Sequence, residues 1–131
     1  MAQYLEGPQQ KTRAYSPAVI TEGGRTVWLA GQIAMVDADG KDISGNFEAQ
    51  THRVFELMDQ TLHRCGGTLA NLVTMTVFIK EPRHGDRFVE IRKDKFSNNH
   101  YPASALITVT NFARPGIEIE IQAIAVVGDR A

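Results

Sequence analysis

The sequence predicts an α+β domain, a mixed β-sheet with two helices on one face, in the order β-β-α-β-α-β-β. Three observations carry this. The hydrophobic period switches between two and about 3.6 along the chain. The closing run "IEIEIQAIAVV" alternates strictly. And 131 residues, 43% apolar and 22% charged, suffice for one core and not for two.

Taken in order, residues 1–14 are polar and contain Pro8, so they read as an extended N-terminal arm ahead of a single domain over 15–131. "SPAVI" and "TVWLAGQIA" are β-rich runs separated by "TEGGR". Gly23 and Gly24 suit the positive φ of a tight turn, which predicts a hairpin. "DADGKDISG" is a second turn-rich connection.

From Asn46 the period lengthens. Phe47, Thr51, Val54, Phe55, Met58, Leu62 and Cys65 recur at spacings of three and four, the stripe of a helix. Asn46 suits its N-cap, Glu48 its first turn, and Gly66–Gly67 its stop. In "NLVTMTVFIK", Val73, Met75, Val77 and Ile79 alternate against Thr74, Thr76 and Phe78, as in a strand. A shorter helix starts near Asp86, with Phe88, Ile91, Lys95 and Phe96 along one side, and frays at Asn98 and Asn99. "SALITVTNF" reads as a strand and "ARPG" as a turn. In the last strand Ile117, Ile119, Ile121, Ala123 and Ala125 take one face against Glu118, Glu120 and Gln122. The sheet face away from the helices carries threonines, Trp28, Phe78, Phe112, Ile124 and Val126 among carboxylates. That mixture predicts burial against another copy of the chain.

The formal net charge of −1, from 14 basic and 15 acidic residues, leaves no footprint for nucleic acid or an anionic membrane. One cysteine, Cys65, forbids an intrachain disulfide, and it reads as a buried structural thiol. No apolar run approaches the roughly 20 residues of a membrane span, and no signal-peptide core is present, so a cytoplasmic protein is expected. His52 and His63 lie eleven residues apart, about 16 Å along a helix, too far to share one ion; no metal is expected.

The residues themselves offer one catalytic candidate. Glu118 and Glu120 share a strand face about 7 Å apart. Glu120 stands nearer to apolar Ile124 and Val126, where a carboxyl can serve as acid or base.

Five stretches in register resemble the reactive intermediate deaminase (RidA/YjgF) family: "AYSPAV", "LAGQIA", the helix and strand "FEAQTHRVFELMDQTLHRCGGTLANLVTMTVFI", "YPASALITV" and "IEIEIQAIAV". The resemblance implies a chorismate-mutase-like fold and a homotrimer with ligand clefts between subunits. It also implies hydrolysis of imines and enamines to ketones and ammonia without metal or organic cofactor. Tyr15, Gly31 and Glu120 match its cleft tyrosine, its glycine-containing strand and the glutamate that handles water. Leu106 is implied as a cleft residue, and Ala30 stands in the cleft where the family carries a hydroxyl residue before the glycine. The arginine that clamps the substrate carboxylate is replaced by Ser104, and an asparagine of the second helix by Arg92. Losing that charge-assisted pair would weaken binding by on the order of 1.5–3 kcal/mol, which argues against efficient 2-aminoacrylate turnover. Two readings stand in for the lost cation: Arg114, in the "ARPG" turn, supplies it from another direction, or the substrate lacks that carboxylate or places it elsewhere. The expected function is thus an imine or enamine deaminase, possible substrates including aminomuconate-type intermediates. The competing reading is a non-catalytic module binding a metabolite or partner.

Overall fold

A computed structural model describes residues 2–128. Its elements run β1 (Ala2–Tyr4), α1 (Gln9–Arg13), β2 (Val19–Thr21), β3 (Arg25–Trp28), α2 (Phe47–Arg64), β4 (Leu72–Ile79), α3 (Gly85–Lys93), β5 (Ala103–Thr108) and β6 (Ile119–Val127). The main sheet has the order β3-β6-β4-β5. Only β4 and β5 are parallel, because α3 carries the chain back to the same end of the sheet before β5 begins.

Both helices lie on one sheet face, where the two periodicities meet. Val54, Phe55, Met58 and Leu62 of α2 and Phe88 and Ile91 of α3 pack with Met75, Val77, Ile79, Ile119, Ile121, Ala123 and Ala125, all buried. Each of these side chains larger than alanine contributes about 1.5–3 kcal/mol by leaving water. Asn46 caps α2 as expected, its side chain accepting from the Ala49 N–H at 3.0 Å.

Five expectations are corrected. The N-terminal arm is not extended: it forms β1 and helix α1, held by buried Gln10, whose amide nitrogen lies within 3.2 Å of Leu5 O, Ser16 Oγ and Asn99 O. The glycine pair does take positive φ (72° and 80°), yet β2 and β3 form no hairpin. β2 pairs with β1, and β3 pairs with β6, because the long closing strand offers β3 a deeper partner. In β4 the alternation slips at a bulge between Leu72 and Thr74, so Leu72 is buried and Val73 only half-buried. Cys65 ends α2 half-buried rather than within the core. Phe112 lies outside the strands, since β5 stops at Thr108. The opposite sheet face is open, and Trp28 there is 75% exposed.

Candidate functional site

The site is built where three segments converge at the N-terminal end of β5. Gly85, Phe88, Val89 and Arg92 follow the three-and-four spacing of a helix, so Arg92 sits on the buried face of α3. Ser104 pairs in register with Met75 and Leu106 with Val77; both partners are core residues, so Ser104 and Leu106 face the helix layer. Tyr15 arrives because α1 ends at Ala14 in the left-handed region (φ 59°), fully buried, and Ser16 then bridges Ala103, with its N–H on Pro102 O at 3.2 Å. An alanine in that conformation is strained, and strain of this kind gathers at functional positions.

The result is a small cavity of about 140 Å³ lined by Arg13, Tyr15, Val89, Arg92, Ser104 and Leu106. Arg92 is its main charged group and is 2% exposed. Its Nη1 donates to Ser104 Oγ at 2.7 Å and its Nη2 to the Arg13 carbonyl at 3.0 Å. The guanidinium lies over the Phe88 ring, 4.9 Å from its centre. Its buried Nε–H has no acceptor among the described residues, and no carboxylate there pairs with it. Burial first, and then the positive charge of Arg13, pull its pKa down to about 10. A buried cation without a counter-charge is costly to keep, and a ligand anion would supply the missing partner.

The serine's role follows. Its oxygen accepts a charge-assisted hydrogen bond, and its own O–H reaches only the Ala105 carbonyl, at a long 3.4 Å. Ser104 is itself uncharged, and the guanidinium bonded to it comes from α3. Arg114 is not among the residues that line this cavity. It lies exposed in the turn leading to β6, where Gly116 meets Ser44 and Gly45 N–H bonds Gly116 O.

Glu120 and Gly31 form a second locus. Residues 29–32 run along β6, with Leu29 N–H on Ala123 O and a two-way Gln32–Ile121 bridge. Gly31 is thereby pressed against Glu120, and a Cβ there would collide with Oε2. Ala30 and Gly31 are exposed and Glu120 is half-buried. Glu120 stands opposite Phe78, between core-facing Ile119 and Ile121, so it projects from the open face. A single chain therefore joins Tyr15, Ser104 and Leu106, separately joins Gly31 and Glu120, and leaves the two sets on opposite faces of the sheet. Buried Gln50, absent from the sequence reading, steadies the approach to Glu120: its Oε1 accepts from Glu118 N–H at 2.8 Å and its Nε2 donates to Gly116 O at 2.7 Å. Among the described residues no three His, Cys, Asp or Glu side chains gather as metal ligands, and no helix is long and apolar enough to cross a membrane.

Fold and cavity define a small α+β protein with an arginine-lined pocket on the helix side of a mixed sheet. The chain belongs to the reactive intermediate deaminase (RidA/YjgF) family: the family model described as endoribonuclease L-PSP matches residues 8–127. It is 32% identical to the human 2-iminobutanoate/2-iminopropanoate deaminase over 87% of this chain and 80% of that protein. It is 32% identical to protein DfrA of Myxococcus xanthus over 86% of this chain and 84% of that one. Among solved structures, a Rid-family protein of unknown function from Yersinia pestis superposes with a TM-score of 0.84 at 23% identity, covering 96% of this chain and 98% of the other. A YjgF-family protein from Mycobacterium tuberculosis does so with 0.66 at 26% identity, covering 97% and 100%.

Proposed function

We propose that the chain is an imine or enamine deaminase, a hydrolase that converts a small reactive imine and water into a carbonyl compound and ammonia. The observation that carries this reading is the Arg92–Ser104 hydrogen bond of 2.7 Å, which brings a buried, unpaired cation to the position where the sequence alone shows none. In this reading a substrate carboxylate is held by the Ser104 hydroxyl with the Arg92 charge behind it, while Tyr15 and Leu106 line the pocket. Glu120 orients the water that adds to the C=N carbon and passes its proton on, so that nitrogen leaves as ammonia. Because Glu120 and Ser104 lie on opposite faces of one chain, the cleft is completed by a neighbouring subunit. The exposed face around Trp28 would bury itself in that assembly, a homotrimer. The −1 net charge and the cavity of about 140 Å³ fit a small metabolite better than the RNA suggested by the family model's description.

The test is ammonia release from freshly generated 2-iminobutanoate, 2-aminoacrylate and aminomuconate-type imines, each read against its spontaneous rate. Glu120→Gln is expected to lower the catalysed rate by roughly 10²–10⁴-fold with the oligomer intact. Saturable binding without acceleration of any substrate would instead favour a binding module.

A further inference from the structure

The charge balance of the cavity is incomplete in a specific way. Two guanidinium groups, Arg92 and Arg13, belong to its lining, and no carboxylate does. They differ in how they are held. Arg92 is buried and fixed by Ser104, the Arg13 carbonyl and Phe88. Arg13 is 42% exposed and reaches outward to Asp86 at 2.8 Å, a carboxylate itself 90% exposed. An exposed pair of that kind contributes little net free energy, so Arg13 is free to change partners. Val89 and Leu106 add apolar lining to the same cavity. The left-handed Ala14, fully buried, fixes the backbone from which Arg13 and Tyr15 both extend.

Two cations and an apolar lining in one cavity match a compact ligand that carries two negative groups on a hydrocarbon frame. We infer that this pocket selects a dianion, the imine of a short dicarboxylic 2-oxo acid, over monocarboxylate imines. One carboxylate would be held by Ser104 and Arg92. The other would draw Arg13 away from Asp86. The volume, about 140 Å³, restricts the class to compact molecules. This inference rests on the reading that the Arg92 cavity is the ligand site of the deaminase.

The experiment is calorimetric titration of the full chain with two stable keto acids that mimic the products, 2-oxobutanoate and 2-oxoglutarate. The dicarboxylate is expected to bind about tenfold or more tightly than the monocarboxylate, the worth of one further charge-assisted contact. Arg13→Gln, at a half-buried position outside the hydrophobic core, should raise the dicarboxylate Kd to near that of the monocarboxylate. Asp86→Asn, which frees Arg13, should lower it severalfold. Equal affinities for the two acids, a preference that survives Arg13→Gln, or no binding of either acid to the folded chain would each overturn the inference. Because binding and not turnover is read, the two readings fail separately. A chain that prefers the dicarboxylate yet accelerates no imine defeats the deaminase reading alone. Turnover of 2-iminobutanoate with no preference defeats this inference alone.

Discussion

The two faces of α3 treat arginine in opposite ways. On the outer face Arg87 is 45% exposed and surrounded by carboxylates: its Nε and Nη2 bond Glu48 and its Nη1 bonds Glu90 at 3.0 Å. Those carboxylates raise its pKa, and it in turn lowers that of Glu48. On the inner face, five residues on, Arg92 is 2% exposed, bonds only neutral oxygens, and is pulled down to about 10. The outer arginine is answered within the chain and stabilises through a small surface network. The inner one is destabilising where it stands and makes physical sense as half of an interaction whose other half is a ligand.

That contrast is broken most directly by removing the two charges in turn. Arg92→Met should lower affinity for an anionic ligand by roughly ten- to a hundredfold. In the same protein, thermal stability should hold or rise by up to about 2 kcal/mol, because an uncompensated buried charge is replaced by a flexible apolar side chain. Arg87→Met should do the reverse, costing about 0.5–1 kcal/mol and sparing the ligand. A ligand-binding loss in Arg87→Met equal to that in Arg92→Met would erase the distinction. The pH dependence adds a sign. Burial holds the Arg92 guanidinium below its ordinary range, at about 10, so the folded state releases this proton before the unfolded chain does. The burden of its charge is present below about pH 10 and is relieved as pH climbs above it, so its contribution to stability rises there. Arg92→Met should lack that rise in denaturant titrations.

A substitution on the facing strand sharpens the comparison. Ser104→Arg would set a second guanidinium against Arg92, and like-charge repulsion should destabilise the fold by about 1–3 kcal/mol without improving ligand binding. Combining Ser104→Arg with Arg92→Asn, which moves the cation from helix to strand, should recover most of both. A double variant no more stable than Ser104→Arg alone would show that the two positions do not share one role. The smallest effect belongs to Arg114→Ala. Exposed in its turn, this arginine should change stability by less than about 0.5 kcal/mol and ligand affinity by less than twofold.

Much of this architecture was legible in the sequence because it rests on local burial patterns. The stripe from Phe47 to Leu62, the Asn46 cap and the alternation of Ile117 to Ala125 each report a periodic boundary between core and water, and a periodic boundary needs no partner to be named. Gly31 and Glu120 were legible as candidates through the family resemblance. Arg92 is legible only as a departure from the family pattern, because nothing local to it names Ser104 as its partner. The spacing to Phe88 and Val89, four and three residues back, was the signal that it faces inward.

Sequence by itself determined the α+β class, the two helices that pack on the sheet, the closing strand and the identity of the residues able to act. Only the tertiary structure decided which of them meet. Arg92 and Ser104 are twelve residues apart, and Arg92 and the Arg13 carbonyl seventy-nine. Both contacts exist because the β4–α3–β5 crossover lays α3 over β5 and the Ser16–Ala103 bridge returns the N-terminal segment to the same edge. Likewise β3 leaves β2 for β6 although the turn between them has the glycines of a hairpin. Local propensity describes what each segment can do, whereas a pairing or a pocket is settled by competition among segments for the same buried edge.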